Sequence, residues 1–137
     1  MANVEVKREA EGHLRLAEGF MNTALVGDAS SEYEIRNAFS RAYYAFFHAC
    51  YAFLLAQGND PGRVEQLAKD HGRLRSNIRH PMGKAFEHHI KGAYDRRRQS
   101  DYKPEWLVPS STLAQEELKR ARTYFHWILR TTQRTLV

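Results

Sequence analysis

Cysteine is almost missing from this chain. Its one thiol, Cys50, has no internal partner, so the fold cannot rest on a disulfide, and its place within an apolar run marks it as a small core side chain. No stretch of about 18 apolar residues runs free of charge, so no membrane span is expected. The first residues, MANVEVKREAEGHLRL, are charged and lack the apolar block of an export signal, which makes a cytoplasmic protein the expectation. No alternation of Val, Ile and Thr suggests strands. Glycine forms no phosphate-cradling loop, since Gly58 and Gly62 flank a turn rather than end a strand. The histidines show neither an H-E-x-x-H pattern nor ligand spacing, and His88 and His89 are adjacent and point in different directions on a helix. Neither a metal site nor a cofactor is expected. Repeats, low-complexity tracts and long linkers are missing too, which leaves a single domain over residues 1–137.

What remains is helix and positive charge. The formal net charge of +5 favours an acidic partner such as RNA, a nucleotide or an acidic protein, although a basic solvated surface also accounts for it. Residues 4–26 carry Val6, Ala10, His13, Leu14, Ala17, Met21, Ala24 and Leu25 at helical spacing, and residues 27–31 (GDASS) close that element, with Ser30 or Ser31 capping the next. A second helix from about Glu32 to Gln57 has one continuous face: Ile35, Ala38, Phe39, Ala42, Ala45, Phe46, Ala49, Ala52, Phe53 and Ala56. Asp60 and Pro61 open a third segment over 61–79 that Gly72 interrupts and His80-Pro81-Met82-Gly83 breaks. A helix over Lys84–Tyr102 points Phe86, Ile90, Ala93 and Tyr94 inward. After a loop holding Trp106, a last helix from about Ser111 carries Ala114, Leu118, Ala121, Phe125, Ile128, Leu129 and Thr132. The expected architecture is all-α: an antiparallel bundle of four main helices plus a shorter one.

Two of these helices carry polar groups where apolar ones are expected. Asn37, Arg41, Tyr44 and His48 share one narrow stripe of the second helix. A buried arginine without a partner is costly, so the stripe is either a buried hydrogen-bonded seam or the lining of a cleft. In the fourth long segment, Arg97 and Asp101 continue the stripe of Phe86, Ile90 and Ala93 inward, and their spacing allows an ion pair. Arg96 and Arg98 diverge toward solvent or a ligand. Charge at a helix C-terminus explains exposed arginines but not an inward Asp101.

The run SRAYYAFFHACYAFL at residues 40–54, followed by Lys69-Asp70-His71-Gly72 and by Arg97-Arg98-Gln99-Ser100-Asp101-Tyr102, resembles the HEPN superfamily, in its small stand-alone branch with RAYYAxFHA and RxxxDY motifs. The likeness spans roughly residues 8–130. It implies an antiparallel helical bundle, a homodimer, and for many members a metal-independent ribonuclease, some of them toxins neutralised by a minimal nucleotidyltransferase. It also implies an Arg, four to six residues, then His motif. Five pairs have that spacing: Arg8/His13, Arg41/His48, Arg73/His80, Arg75/His80 and Arg120/His126. The region that carries the motif in active relatives corresponds to Arg97–Tyr102, where Asp101-Tyr102 stands in place of a histidine.

Metal-free RNA cleavage needs a base for the 2′-hydroxyl, an acid for the leaving oxygen, and cations for the phosphorane. On this expectation Arg97 and Arg41 clamp phosphate, His48 is the acid/base, Asp101 orients an arginine and Tyr102 positions the substrate. Arg73, Arg75, Arg79 and Lys84, with Arg96 and Arg98, are the nucleic-acid contacts; Asn37, Tyr44 and His71 complete the seam. The alternative is a non-catalytic module that binds nucleotide, RNA or a partner protein through the same residues.

Overall fold

The computed structural model describes residues 3–25 and 30–137. Among them six helices follow one another: α1 (Val4–Leu25), α2 (Glu32–Ala56), α3 (Pro61–Ala68), α4 (His71–Met82), α5 (Lys84–Tyr102) and α6 (Ser111–Leu136). The described residues contain no strand. Two short helices stand where one was expected. The side chain of Leu25 and residues 26–29, which include most of the expected break after the first helix, lie outside the described residues.

The caps explain the boundaries. Ser31 accepts the backbone N–H of Glu34, and Glu32 and Glu34 add negative charge to the first turn of α2. Asp60 caps α3 with Pro61 at its start, and Ser110 caps α6 through Leu113 N–H. The expected interruption at Gly72 moves upstream. Asp70 accepts the N–H of Arg73 and starts α4, so the break falls at Lys69–Asp70 and Gly72 sits in the first turn. Pro81 is tolerated in the last turn of α4. The chain turns instead at Gly83, whose φ of 93° favours a residue without Cβ.

α2 is the axis of the molecule and packs against every other helix. Ala49–Leu55 are buried without a gap, so this half of α2 is covered on all sides. Its alanines admit α1 and α6 closely, while Phe46 meets Phe86 of α5 and Phe125 of α6 edge-on. Burial of that kind stabilises by about 1.5–3 kcal/mol per large side chain. Every residue assigned to the α6 stripe is buried.

Candidate functional site: a guanidinium among tyrosines

Tyr43 and Tyr44 of α2 and the C-terminal end of α5 meet around Arg97. Arg97 is only 6 % exposed. Its guanidinium carbon lies 5.3 Å from the ring centre of Tyr94, 5.4 Å from Tyr43, and 5.6 Å from both Tyr44 and Tyr102. The electron-rich faces of four rings offset part of the cost of burying the cation. Its polar contacts are long: Nη1 stands 3.9 Å from the Asp101 carboxylate and 3.5 Å from the Tyr102 hydroxyl, and Nε has no partner among the described residues. Asp101 corrects the sequence expectation. It lies toward the surface rather than inward, its side chain 30 % exposed, and accepts a hydrogen bond from Ser40 at 3.1 Å. Tyr102 is exposed.

The other stripe residues divide. Asn37, Arg41, Tyr44 and His48 are all half-buried, and Arg41 Nε also lacks a partner among the described residues. Tyr44 touches the Arg97 cluster, whereas His48 belongs to a neighbouring patch. Its Nδ1 faces that of His13 at 3.0 Å, and its ring stacks on Phe20. Burial, with help from His13, pushes His48 down to about 4, so it is neutral near pH 7. Burial also lowers His13, against the pull of Glu9.

His71 is the first residue of α4. It hydrogen-bonds the Tyr43 hydroxyl and lies against Phe47 and Tyr94. Burial first, then Arg97 and Arg75, lower its pKa, while Asp70 opposes. Burial raises that of Tyr43, with Cys50 adding to it. Of the expected nucleic-acid contacts, Arg75 and Arg98 border the cluster, their guanidinium carbons 5.3 and 6.0 Å from the Tyr94 ring centre. Arg73, Arg79 and Lys84 are exposed. Arg96 departs from expectation: it is half-buried, pairs with Glu117 of α6 at 3.6 Å, and lies over Phe39 on the other side of α5.

Sequence reasoning missed Arg36. Its Nη1 donates to the carbonyls of Gln99, Ser100 and Lys103, and its Nη2 to those of Pro104 and Trp106, all within 3.2 Å, while Nε pairs with Glu32. Those acceptors include the last-turn carbonyls of Gln99 and Ser100 in α5, the first of which also accepts the N–H of the cap residue Lys103. One side chain of α2 thus anchors the segment that presents Asp101 and Tyr102. The available signal was an i, i+4 Glu32/Arg36 pair, which reads as an ordinary surface contact.

Among the described residues no group of three or more His, Cys, Asp or Glu is placed to hold a metal ion, and no helix is long and apolar enough to cross a membrane.

Comparison with known proteins agrees with the resemblance to the HEPN superfamily. A UPF0332 protein of Pyrococcus horikoshii is 30 % identical over 98 residues, which cover 72 % of this chain and 63 % of that relative. The chain therefore spans less than two thirds of that relative's length. The HEPN domain model matches residues 7–132, which include all of α2–α5 and most of α1 and α6. This chain belongs to the HEPN domain family.

Proposed function

We propose that the protein acts on RNA as a metal-independent ribonuclease of the toxin or defence type, a homodimer restrained by a minimal nucleotidyltransferase. The observation that carries the reading is Arg97: a nearly buried cation, held by four aromatic faces, with a loose carboxylate partner and an unpaired Nε. A cation placed so is under-satisfied, and a phosphate matches the missing acceptors. Arg41, with its own unpaired Nε, supplies a second fork. Asp101 orients Arg97 from one side, and Tyr102 offers a hydroxyl at the exposed edge. His48, neutral near pH 7, is in the protonation state that accepts the 2′-hydroxyl proton. Arg75 and Arg98, with the outer cations Arg73, Arg79 and Lys84, extend phosphate contact along the strand.

A second reading, binding without cleavage, is favoured by the depth of Arg97 and by the contact that occupies His48 Nδ1. Labelled RNA incubated in EDTA separates the two. Cleavage by the wild type that is lost in both Arg97→Ala and His48→Ala supports the ribonuclease. Salt-sensitive binding without cleavage selects the binding module. If Arg97→Ala lowers the melting temperature but leaves both RNA binding and cleavage intact, the arginine is structural and both readings fail.

A further inference from the structure

A second set of cations lies on the opposite side of α5, and the reading above does not use it. A cleft of about 310 Å³ opens between α5 and α6, lined by His88, His89 and Arg96 from the first helix and Glu117, Arg120 and Tyr124 from the second. Its cations share one carboxylate. Arg96 Nη1 stands 3.6 Å from one oxygen of Glu117, and Arg120 Nη1 2.7 Å from the other. Two guanidiniums from two helices thus converge on a single carboxylate, which leaves one guanidinium charge of the cleft unmatched. Burial lowers the pKa of Arg96, with Arg120 acting in the same sense and Glu117 opposing.

An independent observation comes from His89. It lines the cleft, is only 8 % exposed and stacks on Tyr124 at 4.3 Å, yet its Nε2 has no hydrogen-bond partner among the described residues. A buried ring nitrogen without a partner is unusual, because each such group forfeits hydrogen bonds it made to water. Gly92 adds a geometric requirement. A Cβ there would come within 3.3 Å of Arg96 Nη1, so the missing side chain leaves room for that guanidinium to lie along α5.

We infer that the α5–α6 cleft is a binding site for a small phosphate ester, whose phosphate takes the place of the Glu117 carboxylate between Arg96 and Arg120. A phosphate carries more charge and more acceptor oxygens than a carboxylate, so it serves both forks at once. The cleft is larger than an inorganic anion requires, and Ala85, Gly92 and Tyr124 border the space left for the body of the ester. Glu117 holds the two arginines in place when the cleft is unliganded and is the competitor that the ligand must displace.

Calorimetric titration of the full chain with phenyl phosphate and with inorganic phosphate, at constant ionic strength, tests this. Saturable binding of phenyl phosphate is expected, weakened about tenfold by Arg120→Ala. Arg120 is largely exposed, so this variant keeps its fold. Glu117→Gln removes the competing charge and tightens binding about threefold, an opposite sign that a merely structural ion pair does not produce. Arg130→Ala removes the same charge from α6 outside the cleft and leaves binding unchanged. Absence of saturable binding overturns the proposal, as does a change of the same sign in Arg120→Ala and Glu117→Gln. Binding confined to an RNA oligonucleotide, with none of phenyl phosphate, also overturns it and makes the cleft part of a strand-binding surface.

Discussion

Arg96 and Arg97 are neighbours in one arginine run, yet they serve two unlike environments. Arg97 enters an aromatic enclosure and finds only distant polar partners; Arg96 lies half-buried over Phe39 with a carboxylate across a cleft. The roughly 100° turn per helical residue sends them to different sides of α5. What separates them after that is the neighbour each side meets, α2 with its tyrosines or α6 with Glu117. A cation stabilised by ring faces keeps its donors for an incoming anion. One already paired with a carboxylate must exchange that partner for another.

The comparison is broken most severely at Arg36, which ties the end of α5 to α2. Arg36→Ala removes a donor from five carbonyls, of which Gln99 and Lys103 keep a backbone N–H, and is expected to cost about 2–4 kcal/mol in urea unfolding. Hydrogen exchange should rise at residues 99–106 while the middle of α5, beside Arg96, stays protected. Equal loosening along the whole helix would show that the two sides are not independent.

Acid sharpens the contrast next. Burial, then Arg96, Arg120 and His88, push His89 down to about 4. The unfolded chain therefore binds a proton near the ordinary histidine value that the folded chain refuses, and stability falls as pH drops from about 6.5 toward 4. The contribution present at neutral pH is of the order of 1–3 kcal/mol. His89→Phe should flatten that part of the urea-midpoint profile, leaving the slope that His48, His13 and His71 contribute. A profile unchanged by the substitution would place the acid sensitivity elsewhere.

Arg97→Met tests the aromatic side more gently. Replacing a poorly paired buried cation with an apolar side chain of similar length should change stability by no more than about 1 kcal/mol, in either direction, while RNA affinity collapses. A loss of stability well above that, with affinity kept, would make Arg97 a structural residue. The smallest effect belongs to exposed Arg98. Arg98→Ala should move stability by less than about 0.5 kcal/mol and reduce the salt slope of RNA binding by about one.

Much of this fold was legible in advance because α-helices write their periodicity and their caps locally. The stripes of α2 and α6, that of α5 as far as Arg97, a serine cap at 30 or 31, and both ends of α5 stood where spacing and capping chemistry put them. The segment after Pro61 was misdivided, since Asp70 as a cap outweighs Gly72 as a breaker. Arg97 could be read as inward from its stripe. Two of its four tyrosines could not be, because Tyr43 and Tyr44 lie on α2, about fifty residues from Arg97 in sequence.

The sequence by itself determined the helical character of the chain, the inward course of Arg97 and the motifs of the family, all of which depend on residues within a few turns of one another. Tertiary structure alone decided that Arg36 closes the end of α5, that Asp101 turns to the surface, that His48 pairs with His13, and that Arg96 faces Glu117. Each of those contacts joins residues on different helices or sets how deep a side chain lies. Such relations follow from how helices pack, and local periodicity carries no record of that.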